Sequence, residues 1–180
     1  MKPEVPRHLA EMLVRSGAYV RRRIVVNQAH LARYRNRHTK YVAVSGSSAK
    51  TTVCSMLEHI LSGVGRTEAQ ISSNTMPAIA PFVRTVSGEC DFAVVETAIG
   101  AVDRMKHLAR LIRPDIAVLT MIELEHKKEM PDLDIIAREK GYLVEYMSQS
   151  GVAVLNADDE RTAGIAQRAN GRVVTFGRAA

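Results

Sequence analysis

Residues 41–52, Tyr-Val-Ala-Val-Ser-Gly-Ser-Ser-Ala-Lys-Thr-Thr, constrain this chain more than any other stretch. A run suited to a buried strand enters a turn of small residues, and the turn ends in Lys50-Thr51-Thr52 at the start of an apolar helix. Small residues at Gly46, Ser47, Ser48 and Ala49 let backbone N–H groups close around phosphate oxygens, and the helix N-terminus adds positive potential. In such loops the lysine reaches the β- and γ-phosphates and the first hydroxyl, here Thr51, holds Mg²⁺. A serine-rich loop capping a helix would account for Ser47 and Ser48, but not for Lys-Thr-Thr directly after a β-like run. The loop departs from the general pattern, which wants glycine six residues before the lysine and directly before it; Val44 and Ala49 stand there. Glycine suits close approach and positive φ, so the Ala49 methyl is expected to crowd the turn.

At 180 residues, one domain or one domain with an appendage is expected. Leucine, isoleucine, valine and alanine supply the core, since tryptophan is absent and aromatics are few. Cys54 and Cys90 form no metal or redox spacing, which points to a reducing compartment. Cys54 sits in the first turns of the loop helix, where a thiol can be activated, but a small core residue is the simpler reading. No apolar run spans a bilayer and no signal-peptide core follows the N-terminus, so a cytoplasmic location is expected.

The charge is uneven. Residues 1–40 carry ten Lys/Arg against two acids, and the remaining chain carries fifteen against seventeen. The basic balance therefore belongs to an N-terminal arm. Arg21-Arg22-Arg23 and Arg33, Arg35 and Arg37 could meet an anionic membrane, nucleic acid or an acidic partner, or form a solvated helical arm leading into the core. Few aromatics interleave with these arginines, so nucleic acid is not expected.

After Pro3 and Pro6 the spacing predicts a helix with Leu9, Met12, Leu13 and Val20 as apolar contacts, interrupted at Gly17, then a second helix over about 24–34. Strands are expected at 41–45, 92–96, 116–120, 152–155 and 172–176. Helices are expected at about 52–61, 78–86, 104–112, 132–148 and 160–169. This alternation argues for an α/β fold with a mostly parallel sheet flanked by helices on both faces. In such sheets ligands bind beyond the carboxyl ends of the strands. Glu96 closes an apolar strand there, as an Mg²⁺ carboxylate facing a phosphate would, although a lone strand-end glutamate can be a solvated terminus. Thr120 ends the next strand, and His126 follows as either a ligand or a surface residue.

Lys140 is the most unusual side chain. Ile136, Leu143, Val144 and Met147 share its helical face, while Arg138 and Glu139 fall elsewhere. A lysine in an apolar stripe must snorkel, pair with an acid or lose its charge.

With these residues placed, the chain from roughly Tyr41 onward resembles the central ATP-binding domain of the Mur ligases, a P-loop NTPase-like domain. Those enzymes join an amino acid or peptide to a cell-wall precursor. Ser-Gly-Ser-Ser-Ala-Lys-Thr-Thr is similar to the family's shortened Thr-Gly-Thr-x-Gly-Lys-Thr-Thr loop. Ser73-Asn74 followed by Ile79-Ala80 resembles its Gly-Asn-…-Ile-Gly segment, and residues 113–120 resemble its Pro-Asp-strand-Thr-Asn run. Glu96 matches the family's magnesium glutamate, His126 its metal-binding histidine, and Lys140 the lysine that takes up CO₂ as a carbamate. Residues 156–159 and 174–177 complete the likeness, which is strongest to the D-alanyl-D-alanine-adding branch; poly-γ-glutamate and cyanophycin synthetases share the module. Met121 and Glu123 depart from the family's asparagine and glycine.

The resemblance implies ATP with two Mg²⁺ ions, the first held by Thr51 and Glu96 and the second by His126 and a Lys140 carbamate. The γ-phosphate would pass to a substrate carboxylate, and an amine would attack the acyl phosphate; Lys50 and Asn74 would stabilise the transferred charge. Residues 1–40 do not resemble the family's precursor-binding domain, and the end of the central domain and the amine-delivering domain have no counterpart here. The resemblance thus implies a fragment, a truncated homologue or a split enzyme whose partner chain supplies the rest. Two other readings stay open. One is a degenerate nucleotide-binding module docked by its basic arm; the other is an ordinary P-loop kinase or NTPase.

Overall fold

The computed structural model describes residues 7–124 and 132–178, with side chains from residue 17 onward. Six strands form one sheet: β1 (Lys40–Ser45), β2 (Thr67–Gln70), β3 (Phe92–Glu96), β4 (Ile116–Leu119), β5 (Val152–Asn156) and β6 (Arg172–Phe176). All are parallel, in the order β2-β3-β1-β4-β5-β6. The helices are α1 (Arg7–Arg35), α2 (Lys50–Ser62), α3 (Met76–Thr85), α4 (Arg104–Ile112), α5 (Leu133–Glu145) and α6 (Glu160–Gly164), the last running into a 3₁₀ turn at Ile165–Arg168.

The strand order decides where each helix goes. From β1 the chain travels through α2 to the edge strand β2, then reverses and steps across the sheet through α3, α4, α5 and α6 to β6 at the other edge. A right-handed crossover in the reverse direction must use the opposite face. Accordingly α2 covers one face alone, over Val42, Val44, Val94 and Val118. The other helices cover the second face, where Tyr41, Ala43, Ala93, Val95, Ala117, Leu119, Ala153 and Leu155 point into the larger core. Helices flank both faces, as expected, with α2 alone serving one of them. Val174 and Phe176 of β6 lie on the α2 side beyond its reach and remain exposed.

Two expectations fail at the edges of the fold. Strand β2 escapes sequence reading because Thr-Glu-Ala-Gln is short, polar and only half-buried at the sheet edge. Gly17 does not interrupt the arm: one 29-residue helix runs through it. A single glycine costs about 1 kcal/mol in a helix interior, too little to break a long one. Val20 is 53% exposed and is no core contact, and the side chains of Leu9, Met12 and Leu13 lie outside the described residues.

The second half of α1 belongs to the packed domain. Ala29 is fully buried and Val25 and Val26 join the larger core. Arg33 is the clamp. Its Nε donates to the Ile112 carbonyl at 2.6 Å, and its Nη2 donates to the Arg113 carbonyl at 2.8 Å and to Asp115 Oδ2 at 3.0 Å. The same Asp115 oxygen accepts the Tyr41 N–H at 3.0 Å, and the guanidinium lies 4.2 Å from the Tyr41 ring centroid. One arginine thus ties α1 to the end of α4 and to two strands of the sheet.

Candidate functional site

The site begins where β1 ends. After Ser45 the chain turns at Gly46 with φ +148°, a conformation that L side chains rarely adopt. A Cβ there would overlap Thr120 Oγ1 and lie 3.0 Å from Thr120 Cβ. Thr120 Oγ1 donates to the Ser48 carbonyl at 2.7 Å, so the end of β4 sits directly against the loop. Ser47 N–H donates to the Met121 carbonyl at 2.8 Å, and Ser48 Oγ donates to Glu123 Oε2 at 3.0 Å. Ser47 Oγ donates to the Glu123 carbonyl and accepts the Glu123 N–H, each at 2.9 Å. Met121 and Glu123, the two departures from the family pattern, are therefore the segment that braces the loop, the first through its backbone alone.

Ala49 takes φ +63°, ψ 5° as the residue preceding α2 and makes no side-chain cap. The left-handed region costs an L-residue roughly 1–2 kcal/mol, which locates the strain expected of a methyl at this position. Lys50 Nζ donates to the Gly46 carbonyl at 2.8 Å and the Ser47 carbonyl at 3.2 Å, arching over its own loop. Thr52, one turn-position on, is exposed. Cys54, in the next turn, is fully buried. Burial, with the Glu96 charge adding and Lys50 opposing, pushes its thiol up to about 12, and it is a core residue.

Glu96 is the focus of the site. Its Val44 register partner places it beside the root of the loop, and its side chain is only 2% exposed. Thr51 Oγ1 and the Ser72 N–H both donate to Oε2 at 2.9 Å, and Asn74 Nδ2 donates to Oε1 at 3.0 Å. Burial alone would raise this carboxyl. The hydrogen bonds from Ser72, Asn74 and Thr51, with the nearby Lys50 charge, outweigh it and hold Glu96 below the usual carboxylate range. An ionised carboxylate and a threonine hydroxyl in contact beside a phosphate-type loop form a hard-oxygen pair of the kind Mg²⁺ takes together with phosphate oxygens. The structure thus brings Lys50, Thr51, Asn74 and Glu96 together. Ser72 went unnoticed in the sequence because it acts through its backbone, from a positive φ of 65° after the unforeseen β2.

Lys140 lies on α5 and is fully buried, as its apolar face requires. Glu139 is a correction: it too is fully buried, and both carboxylate oxygens accept no hydrogen bond among the described residues. The apolar face of α5 is wider than a single stripe because α4 packs on one flank and the 3₁₀ turn on the other. His126 lies outside the described residues. Among those described, no group of three or more His, Cys, Asp or Glu gathers as a metal cluster, and no helix is long and apolar enough to cross a membrane.

The fold and loop together define a parallel α/β domain of the phosphate-loop type. The family profile of the Mur ligase middle domain matches residues 44–180, and the chain belongs to the Mur ligase family. It is 28% identical over 138 residues to the UDP-N-acetylmuramoyl-tripeptide–D-alanyl-D-alanine ligase of Mycobacterium tuberculosis, a match covering 76% of this chain and 27% of that protein. Among solved structures, MurF from Acinetobacter baumannii superposes with a TM-score of 0.82 at 26% identity, covering 87% of this chain and 35% of the other. MurF from Thermotoga maritima in complex with ADP gives 0.76 at 24% identity over 87% of this chain and 37% of that one, a likeness of fold alone. The chain spans about a quarter of the length of the curated relatives it matches.

Proposed function

We propose that this chain is the nucleotide-binding module of an ATP-dependent amide ligase in cell-wall or related polymer synthesis, working in the cytoplasm. The observation that carries the reading is the convergence of Thr51, Asn74 and Ser72 on one buried carboxylate at the root of the phosphate loop. The names of the relatives, which are ligases, agree with it.

In this reading residues 46–52 wrap the ATP phosphates with backbone N–H groups, and Lys50 releases the Gly46 and Ser47 carbonyls to meet the β- and γ-phosphates. Thr51 and Glu96 would hold Mg²⁺, which would supply positive charge beside the γ-phosphate oxygens during transfer to a substrate carboxylate. Asn74, already fixed to Glu96 at 3.0 Å, offers its remaining amide hydrogen toward the transferred group. An amine then attacks the acyl phosphate, forming the amide with release of phosphate. Lys140, fully buried on α5, would carry a CO₂-derived carbamate and with His126 would hold a second ion. Residues 1–40 form the basic helical arm and 41–180 the ATP-binding domain; the carboxylate and amine substrates engage surfaces that a partner chain or further domains supply.

The test is metal-dependent nucleotide binding. ATP is expected to bind at least about tenfold more tightly with Mg²⁺ than without, a change of about 1.4 kcal/mol. Glu96→Gln should abolish that difference while leaving metal-free binding in place. Equal metal dependence in the variant would remove Glu96 from the site. Mass spectrometry of the native protein in bicarbonate buffer, with Lys140→Arg as control, tests the carbamate.

A further inference from the structure

Helix α1 has two apolar faces, and the fold covers one of them. Val25, Val26 and Ala29 pack into the larger core. On the opposite side Val20, Ile24, Asn27, Leu31 and Tyr34 follow one another at intervals of four, three, four and three residues. That alternation is the seam of a two-stranded coiled coil, a narrow line that stays on one side of the helix. Its four apolar members are 47–60% exposed, and Asn27 is exposed with them. The same spacing runs back along the sequence through Gly17 to Leu13, so the pattern extends over about three heptads of the 29-residue helix.

The borders of the seam are basic. Arg21, Gln28 and Arg35 run along one side of it, and Arg23 and His30 along the other. Arg84 of α3 donates to Gln28 Oε1 at 3.1 Å, adding a guanidinium beside the first border. Arg23 lies over the Tyr19 ring, 5.8 Å from its centroid, a contact that leaves its charge in place. No Asp or Glu occurs between Glu11 and Glu58, and Arg21 and Arg35 form no ion pair with any described residue. Exposed border charges add little affinity by themselves; they select a partner by its sign and speed the encounter. The affinity has to come from the apolar seam between them.

We propose that the outer seam of α1 is a docking surface for an acidic amphipathic helix of a partner protein, laid along it as a two-stranded coiled coil. A second copy of this chain would set Arg21, Arg23 and Arg35 against their own kind, in either direction of pairing. A helix lying in a membrane surface presents a wider apolar face than this seam, and Asn27 would carry its amide into the acyl region. Between two helices a single asparagine instead fixes how the partners align, at some cost in stability. Arg33 and the packing around Ala29 already hold α1 on the domain, so the seam is presented without an ordering cost on binding.

Fluorescence anisotropy of a labelled synthetic peptide, titrated with the full chain, tests it. The peptide carries about three heptads with leucine at the seam positions, asparagine at the middle one and glutamate along both borders; its own charges keep it from pairing with itself. Binding is expected, and the same peptide with lysine along the borders should bind at least about a hundredfold more weakly. Ile24→Ser and Leu31→Ser leave the packed face of α1 alone. Each should weaken the glutamate peptide by about tenfold without changing the circular dichroism spectrum. Arg21→Glu combined with Arg35→Glu should reverse the preference between the two peptides. No binding of the glutamate peptide, equal binding of both peptides, or full-strength binding to the serine variants overturns the proposal. Two other outcomes overturn it by naming a different occupant. A dimer of the chain alone in sedimentation velocity, split by Leu31→Ser, makes the occupant a second copy. Retention on phosphatidylglycerol vesicles that Leu31→Ser abolishes makes it a membrane. None of these readouts depends on whether the phosphate loop binds ATP.

Discussion

Thr51 Oγ1 donates to Glu96 Oε2 at 2.9 Å, joining the first turn of the loop helix to the end of the neighbouring strand. The contact makes Glu96 part of the loop's electrostatics as well as its geometry, and its charge state should be visible in stability. Its carboxyl is held below the usual range in the folded chain. The stabilisation is therefore fully present above the unfolded value of about 4.3 and is lost as pH falls through the lower folded value. Glu96→Gln should be less stable than wild type by about 1–3 kcal/mol at neutral pH, and the gap should close on acidification below about pH 4. Urea denaturation of both proteins across the acid range checks this; a gap independent of pH would show that Glu96 is not ionised in the fold.

Ala49 carries strain that its neighbours do not need. With φ at +63° and no side-chain hydrogen bond, Ala49→Gly should remove the steric penalty of the left-handed region. It should raise stability by about 0.5–1 kcal/mol, since relief of about 1–2 kcal/mol is offset by the greater unfolded-state entropy of glycine. ATP affinity should rise or hold. A fall in denaturation midpoint would show that the observed φ is not costly here.

Arg33 anchors the arm to the sheet. Arg33→Met would leave the Ile112 and Arg113 carbonyls without the guanidinium donor and the Asp115 carboxylate with the Tyr41 N–H alone, at a cost of about 2–4 kcal/mol. Hydrogen exchange should then quicken selectively in residues 18–35. Unchanged exchange there would mean that apolar packing around Ala29 suffices.

Glu139 offers the opposite case, a buried carboxylate with both oxygens unsatisfied among the described residues. Glu139→Met preserves volume and removes the desolvation cost, so stability should rise by about 1–3 kcal/mol. A loss of stability would assign Glu139 a partner that the described residues do not include.

Much of this arrangement was legible in the residues. The loop, five of the six strands and the place of Glu96 at a strand end beside Lys50 and Thr51 followed from apolar runs ended by polar residues, because a parallel sheet gathers its strand ends on one edge; Asn74 was singled out only by the family resemblance, and the structure sets it against Glu96. Helix α4 was expected at about 104–112 and lies there because its apolar residues repeat at helical spacing. Other features depended on neighbours that are distant in sequence. Strand β2 pairs on one side only and needs no apolar run. Glu139 fell outside the apolar stripe of Lys140 because one helix shows its own stripe but not the widths of the helices beside it. A surface groove lined by arginines of α1 and α4 was invisible for the same reason: Arg22 and Arg104 are 82 positions apart and border it together only because α1 packs beside α4.

The central claim is that residues 46–52 bind nucleotide phosphates with Mg²⁺ at Thr51 and Glu96. Calorimetry of ATP binding with and without Mg²⁺, for this chain and for Lys50→Ala, tests it most directly. Magnesium-dependent binding by the wild type, lost in the variant, is the predicted result. A folded wild-type chain that binds no ATP, or a variant that binds equally well, would contradict it.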